Sequence, residues 1–236
     1  MRKPSSSLQA VSVLAVMITT MTSCALPTGS ETEPLVPTAT ATSPAPTATV
    51  TIPTPSGVDG IAMEVPDGWY SALVELENLE ALIFIQQDPS DLAEFDDPDL
   101  ALPLDFAAGA LILTPLPEGS DAETLSESML SAVPDLTGDD LDAMLLPLDQ
   151  SGLIDFTAVE GATVLEARVD SLAGMQAMMM DGLVAFVDDL PPALRVQVWL
   201  TWTEYTFVAY YAMAAEQAWP DAQAPLNAAL ESVTIR

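Results

Sequence analysis

The stretch ALRVQVWLTWTEYTFVAYYAM, residues 193–213, decides the fold. In its first half Leu194, Val196, Val198 and Leu200 alternate with Arg195, Gln197, Trp199 and Thr201. A period of two is the pattern of a strand with one face on a core and the other toward water. Its second half, 205–213, is aromatic and β-branched, and it follows so closely that a hairpin is the simplest connection. Two adjacent antiparallel strands are therefore the centre from which the rest of the chain is read.

Working outward, residues 61–65 predict a short strand stopped by the turn signal Pro66-Asp67-Gly68. Residues 69–76 and 81–87 read as two strands joined across 77–80, and 107–114 as a buried strand bounded by Pro115 and Pro117. Ser120 or Asp121 can cap a helix running to about Ala132, with Glu123 and Glu127 near its favourable end. A weaker helical segment over 137–146 starts at Asp139, and 154–159 with 162–170 form a strand pair across Glu160-Gly161. Leu172, Met175, Met179, Leu183, Phe186 and Leu190 recur at i+3/i+4, which predicts the clearest helix of the chain, ended by Pro191 and Pro192. After the hairpin, Pro220 opens a last helix through Leu226 and Leu230, and 232–235 closes the chain as a strand. The class is α+β: an antiparallel β-sheet covered by helices.

Two quoted pieces carry a family resemblance. MEVPDGW (63–69) and EQAWPDAQAPLNAALESVTI (216–235) resemble the opening and closing segments of PsbP-like domains, the superfamily of the photosystem II extrinsic protein. The resemblance implies an α/β/α sandwich, in which the Trp packs and the terminal helix covers the sheet. It transfers no catalytic residue, and the superfamily includes assembly factors and lipoproteins.

At the other end, Arg2 and Lys3 precede an apolar run, the n-region and h-region of an export signal. Met21-Thr22-Ser23-Cys24 resembles a bacterial lipobox, with Met21 where Leu is usual. That resemblance implies cleavage before Cys24 and acylation of its sulfur. An uncleaved signal-anchor and a secreted chain with a free thiol are the alternatives. Each buried CH₂ contributes ~0.8 kcal/mol, so one acyl chain is marginal and two or more hold a protein stably. Residues 24–56 are dominated by Thr, Pro, Ala and Ser and predict a disordered tether. At ~3.1 Å per residue in extended form, such a tether reaches up to ~90 Å. The expected layout is a signal peptide at 1–23, a lipidated tether at 24–56 and an acidic domain at 57–236. Its expected place is the extracytoplasmic side of the cell membrane.

Charge and composition exclude several activities. The chain carries 35 acidic side chains against 5 Lys and Arg, a formal charge of −30, which repels nucleic acid. There is no histidine, Cys24 is the only cysteine and Lys3 the only lysine, so triads, thiolate metal clusters and phosphate loops cannot be built. The chain is read as no enzyme; the remaining enzymatic alternative is a carboxylate-dependent, glycosidase-like hydrolase of the envelope. A purely structural envelope protein is the other alternative. Asp88, Asp91, Glu94, Asp96, Asp97 and Asp99 form the densest oxygen-ligand cluster, and calcium is the one cofactor it would suit. Without EF-hand spacing or a central Gly, a solvated acidic loop is the preferred reading, and no cofactor is expected. Met175 and Met179 fit the predicted helix stripe while Met178 and Met180 fall off it; core packing or a greasy contact surface is preferred to soft-metal binding. Trp199, Trp202, Tyr205, Tyr210 and Tyr211 crowd one hairpin and are the candidate face for an unidentified protein or small ligand, although core packing is the preferred reading of the set. A membrane-anchored binding or assembly module is the function expected.

Overall fold

The hairpin at 194–215 lies inside a seven-stranded antiparallel sheet, with its second strand at the centre and three strands on either side of it. The computed structural model describes residues 48–53, 60–76, 79–88, 104–117, 119–150, 159–186 and 193–235. Among these the strands are β1 (Ala48–Pro53), β2 (Gly60–Val65), β3 (Tyr70–Leu76), β4 (Leu79–Ile85), β5 (Ala107–Pro115), β6 (Val159–Leu172), β7 (Met175–Phe186), β8 (Leu194–Trp202), β9 (Thr206–Ala215) and β10 (Thr234–Ile235). The helices are α1 (Ala122–Ala132), α2 (Gly138–Gln150) and α3 (Trp219–Ser232), with one 3₁₀ turn at Val133–Asp135. The large sheet runs β3-β4-β5-β9-β8-β7-β6, and a small sheet runs β1-β2-β10.

Helices α1 and α2 cover one face of the large sheet; α3 and the small sheet cover the other. This is the α+β sandwich that the sequence predicts. The two covers explain why adjacent residues of one strand belong to different cores. Along β9, Ala209, Tyr211, Met213 and Ala215 join the core under α1 and α2, while Val208, Tyr210, Ala212 and Ala214 join the core under α3. Tyr211 donates its hydroxyl to the Met144 carbonyl of α2 at 2.8 Å, and Tyr210 donates to the Leu226 carbonyl of α3 at 2.6 Å. One tyrosine pins a helix on each face.

Local chemistry sets the punctuation. Gly68 adopts φ 79° and lets the Trp69 N–H reach the Pro66 carbonyl at 3.2 Å, closing the expected turn. Trp69 is then buried against Phe84, ring centroids 5.8 Å apart. Asp121 caps α1 through the Glu123 and Thr124 N–H groups, and its hydrogen bond from the Thr124 hydroxyl holds its carboxyl below the usual value. Before α2, Thr137 donates both its N–H and its hydroxyl to Asp140 at 2.7 Å. The two stretches that carry the family resemblance meet in space through the Glu64–Ser232 hydrogen bond, and just before the first of them β10 pairs with β2, Thr234 opposite Ala62 and Ile235 opposite Ile61.

Four expectations are corrected. Glu160-Gly161 is no turn between two strands: both residues lie within the continuous strand β6, which pairs with β7 across a small register shift. The helix expected over 172–190 is not formed by its described part: Leu172 ends strand β6 and 175–186 are strand β7, hydrogen-bonded to β6 and β8. Because both sheet faces are covered, Met178 and Met180 enter one core and Ala177 and Met179 the other. Two-sided burial gives a continuous apolar run with no period of two, and the i+3/i+4 matches are coincidental. The hairpin before it turns on Ala173 and Gly174, whose φ values of 52° and 80° fit a tight two-residue connection. The outward face of β8 is not solvent: Gln197, Trp199 and Thr201 are buried under the α3 side. Finally, the folded domain starts before residue 57. Strand β1 pairs with β2 from Ala48↔Val65 to Pro53↔Gly60, and Ile52 is fully buried. Its run Thr49-Val50-Thr51-Ile52 alternates polar and apolar, which Thr/Pro-rich surroundings conceal.

Candidate functional site

The face of the sheet that carries α3 is only partly roofed by it. Helix α3 lies over β9, β5 and β2, leaving the β6–β8 end of the same face more open. The antiparallel register puts Arg168 of β6 beside Met179 of β7 and Trp199 of β8, and Glu166 beside Asp181 and Gln197. Both described arginines, Arg168 and Arg195, and every ion pair among the described residues fall on this open end.

A cleft of about 660 Å³ opens there between the β6–β7 hairpin and the last turn of α3. Arg168, Asp170, Ser171, Ala173 and Gly174 form one wall. Asn227, Leu230 and Glu231 of α3, with Val233, Thr234 and Ile235, form the other, and Trp199 forms the floor. The walls are held in place. Arg168 donates to Glu166 Oε1 at 2.7 Å, and twice to Asp170 Oδ2, at 3.1 and 2.9 Å. The bond to Glu166, reinforced by Asp170, raises the arginine pKa and keeps its plane fixed. Opposite, the Glu64 N–H donates to Ser232 Oγ at 2.8 Å, and Ser232 donates to the Ala229 carbonyl at 2.6 Å. These bonds moor the end of α3 to β2.

Beside the cleft lies a buried polar cluster. Asp181 is 4% exposed and accepts from Arg195 Nε (3.0 Å), Arg195 Nη2 (2.7 Å) and Gln197 Nε2 (2.8 Å). The Arg195 guanidinium also rests 5.3 Å from the Trp219 ring, and Asp181 raises its pKa. Arg195 and Asp181 satisfy each other's charge, so this cluster positions β7, β8 and the start of α3.

The five aromatic candidates do not form one face. Tyr210 and Tyr211 are fully buried on opposite sides of the sheet, and burial pushes both phenols well above their usual value. Trp199 is 3% exposed, touches the Tyr210 ring at 5.7 Å and reaches only the cleft floor. Trp202 packs on Phe207 at 5.3 Å at the far end of the hairpin, and the exposed Tyr205 donates to Glu204 there. The competing reading of core packing therefore holds for Tyr210, Tyr211 and Trp199, the last of which also reaches the cleft, while Trp202 is half-buried and Tyr205 exposed away from it. Of the acidic loop, Asp88 accepts from the Tyr70 hydroxyl at 3.1 Å, while Asp91, Glu94, Asp96, Asp97 and Asp99 lie outside the described residues. Among the described residues no group of three or more His, Cys, Asp or Glu is placed to hold a metal. Cys24 also lies outside them, and no described helix is long and apolar enough to cross a membrane. Sequence reasoning missed Asp170, Ser171, Asn227, Glu231 and Thr234; the one available signal was that Arg168 is among the few cations of an acidic domain.

No protein-family model and no curated protein matches this sequence. Among solved structures, the chain is similar to LpqN, involved in cell envelope biogenesis of Mycobacterium tuberculosis, at 16% identity and TM-score 0.46, covering 80% of this chain and 90% of that one. It is also similar to the cyanobacterial PsbP, CyanoP, from Synechocystis, at 12% identity and TM-score 0.46, covering 89% of this chain and all of that one.

Proposed function

We propose that the chain is an exported, lipid-anchored module of the cell envelope that holds a small polar ligand, or a side chain of a partner protein, in the cleft at the end of α3. The observation that carries this reading is a preformed opening of about 660 Å³ whose two walls are each fixed by hydrogen bonds. Of its two carboxylates, Asp170 is committed to Arg168 by two hydrogen bonds, which leaves Glu231 as the one read as a binding group. The anchor is Cys24, and the tether enters the fold at β1, across β2 from the β10 residues that line the cleft.

Fractionation of cells carrying three forms tests both halves of the reading. Wild type is expected in membranes and Cys24→Ser in the soluble fraction. Asn227→Trp, which fills the cleft, should stay in membranes, keep its melting temperature and lose the complex that the wild type forms on a native gel. A Cys24→Ser variant that remains in membranes overturns the anchor. A complex unchanged by Asn227→Trp overturns the cleft.

A further inference from the structure

We propose that the cleft selects a primary ammonium group on an aliphatic stem, such as a lysine side chain presented by a partner; this rests on the reading of the cleft as a binding site. The one guanidinium in its wall already has its charge matched, because Nε, Nη1 and Nη2 each donate to Glu166 or Asp170. Glu231, by contrast, lines the cleft and has no ion-pair partner among the described residues. It stands in the last turn of α3, where the helix carbonyls add negative potential and no basic residue offsets them. A field this negative, on a chain of formal charge −30, turns anions away. The opposite requirement, an apolar wall for a methylene stem, is met by Leu230, Val233 and Ile235 beside the Trp199 floor. The charged tip then meets Glu231, with the Asn227 amide and the Thr234 hydroxyl within the same lining.

The probe is N-acetyl-lysine methylamide, compared with N-acetyl-norleucine methylamide, which keeps the stem and lacks the charge. Both are titrated into the full chain while the Asn227 amide and Trp199 indole signals are followed by NMR. The lysine probe should shift both signals and the norleucine probe should not. Glu231→Gln should weaken binding about three- to fivefold, as loss of one partly exposed ion pair does. Glu123→Gln, on α1 across the sheet, should leave binding unchanged. Equal shifts by both probes, or equal weakening by Glu123→Gln and Glu231→Gln, overturn the choice of a cation. No shift with the lysine probe overturns it too. None of those results touches the cleft reading, which stands or falls with the Asn227→Trp complex.

Discussion

Above about pH 10 the domain is expected to lose about 2.7 kcal/mol of stability per pH unit, about 1.4 for each of two buried tyrosines. The phenols of Tyr210 and Tyr211 donate to carbonyls on opposite helices, and burial raises both pKa values above the unfolded value near 10. A raised folded pKa means that the unfolded chain gives up its protons first. The contribution is therefore complete below about pH 10 and is lost as pH climbs through the folded values. The composition makes the effect clean. With no histidine, with Lys3 the only lysine and Cys24 the only cysteine, residues 48–236 hold no side chain other than their four tyrosines that ordinarily titrates between about pH 6 and 12. Absorbance at 295 nm and circular dichroism, recorded together, check this. Two of the four tyrosines should yield no phenolate signal until the circular dichroism collapses. Tyr210→Phe or Tyr211→Phe should each halve the pH slope. Ionisation of all four with the fold intact would contradict the burial of these rings.

The second large effect is expected at the buried ion pair. Arg195→Met should destabilise the domain by about 3–5 kcal/mol, because it leaves a carboxylate in the interior with Gln197 as its sole remaining donor. Asp181→Leu should cost less, since the Arg195 side chain is 31% exposed and can turn its charge toward water. The double variant Asp181→Leu/Arg195→Met should be more stable than Arg195→Met alone, because the orphaned charge is gone. Urea denaturation of the three variants measures the coupling. Additive losses would mean that the pair contributes nothing as a pair.

What the sequence revealed depends on how many sides of each element are wet. The turn at 66–68, the Asp121 cap and the Pro220 start are local chemistry and were legible. Strand β7 was not, because Met178, Met179 and Met180 are all buried and even its one carboxylate, Asp181, is buried rather than marking a wet face. The same two-sidedness split Tyr210 from Tyr211, which adjacency in sequence had placed on one surface. Strand β1 was hidden by composition: Thr49 and Thr51 look like tether until Ile52 is seen in the core. The cleft was the least legible feature. It joins Asp170 to Glu231, some sixty positions apart, and only the pairing of β10 with β2 and the register of β6 on β7 bring the two walls together.

The claim that this cleft is the working face is tested most directly by a photo-crosslinking amino acid placed at position 227 and, as a control, at position 127 on α1 across the sheet, each in the full chain in native membranes. One discrete adduct from position 227, absent from position 127 and lost when Glu231→Gln is added, is the result predicted. No adduct from 227, or the same adduct from both positions, would contradict it.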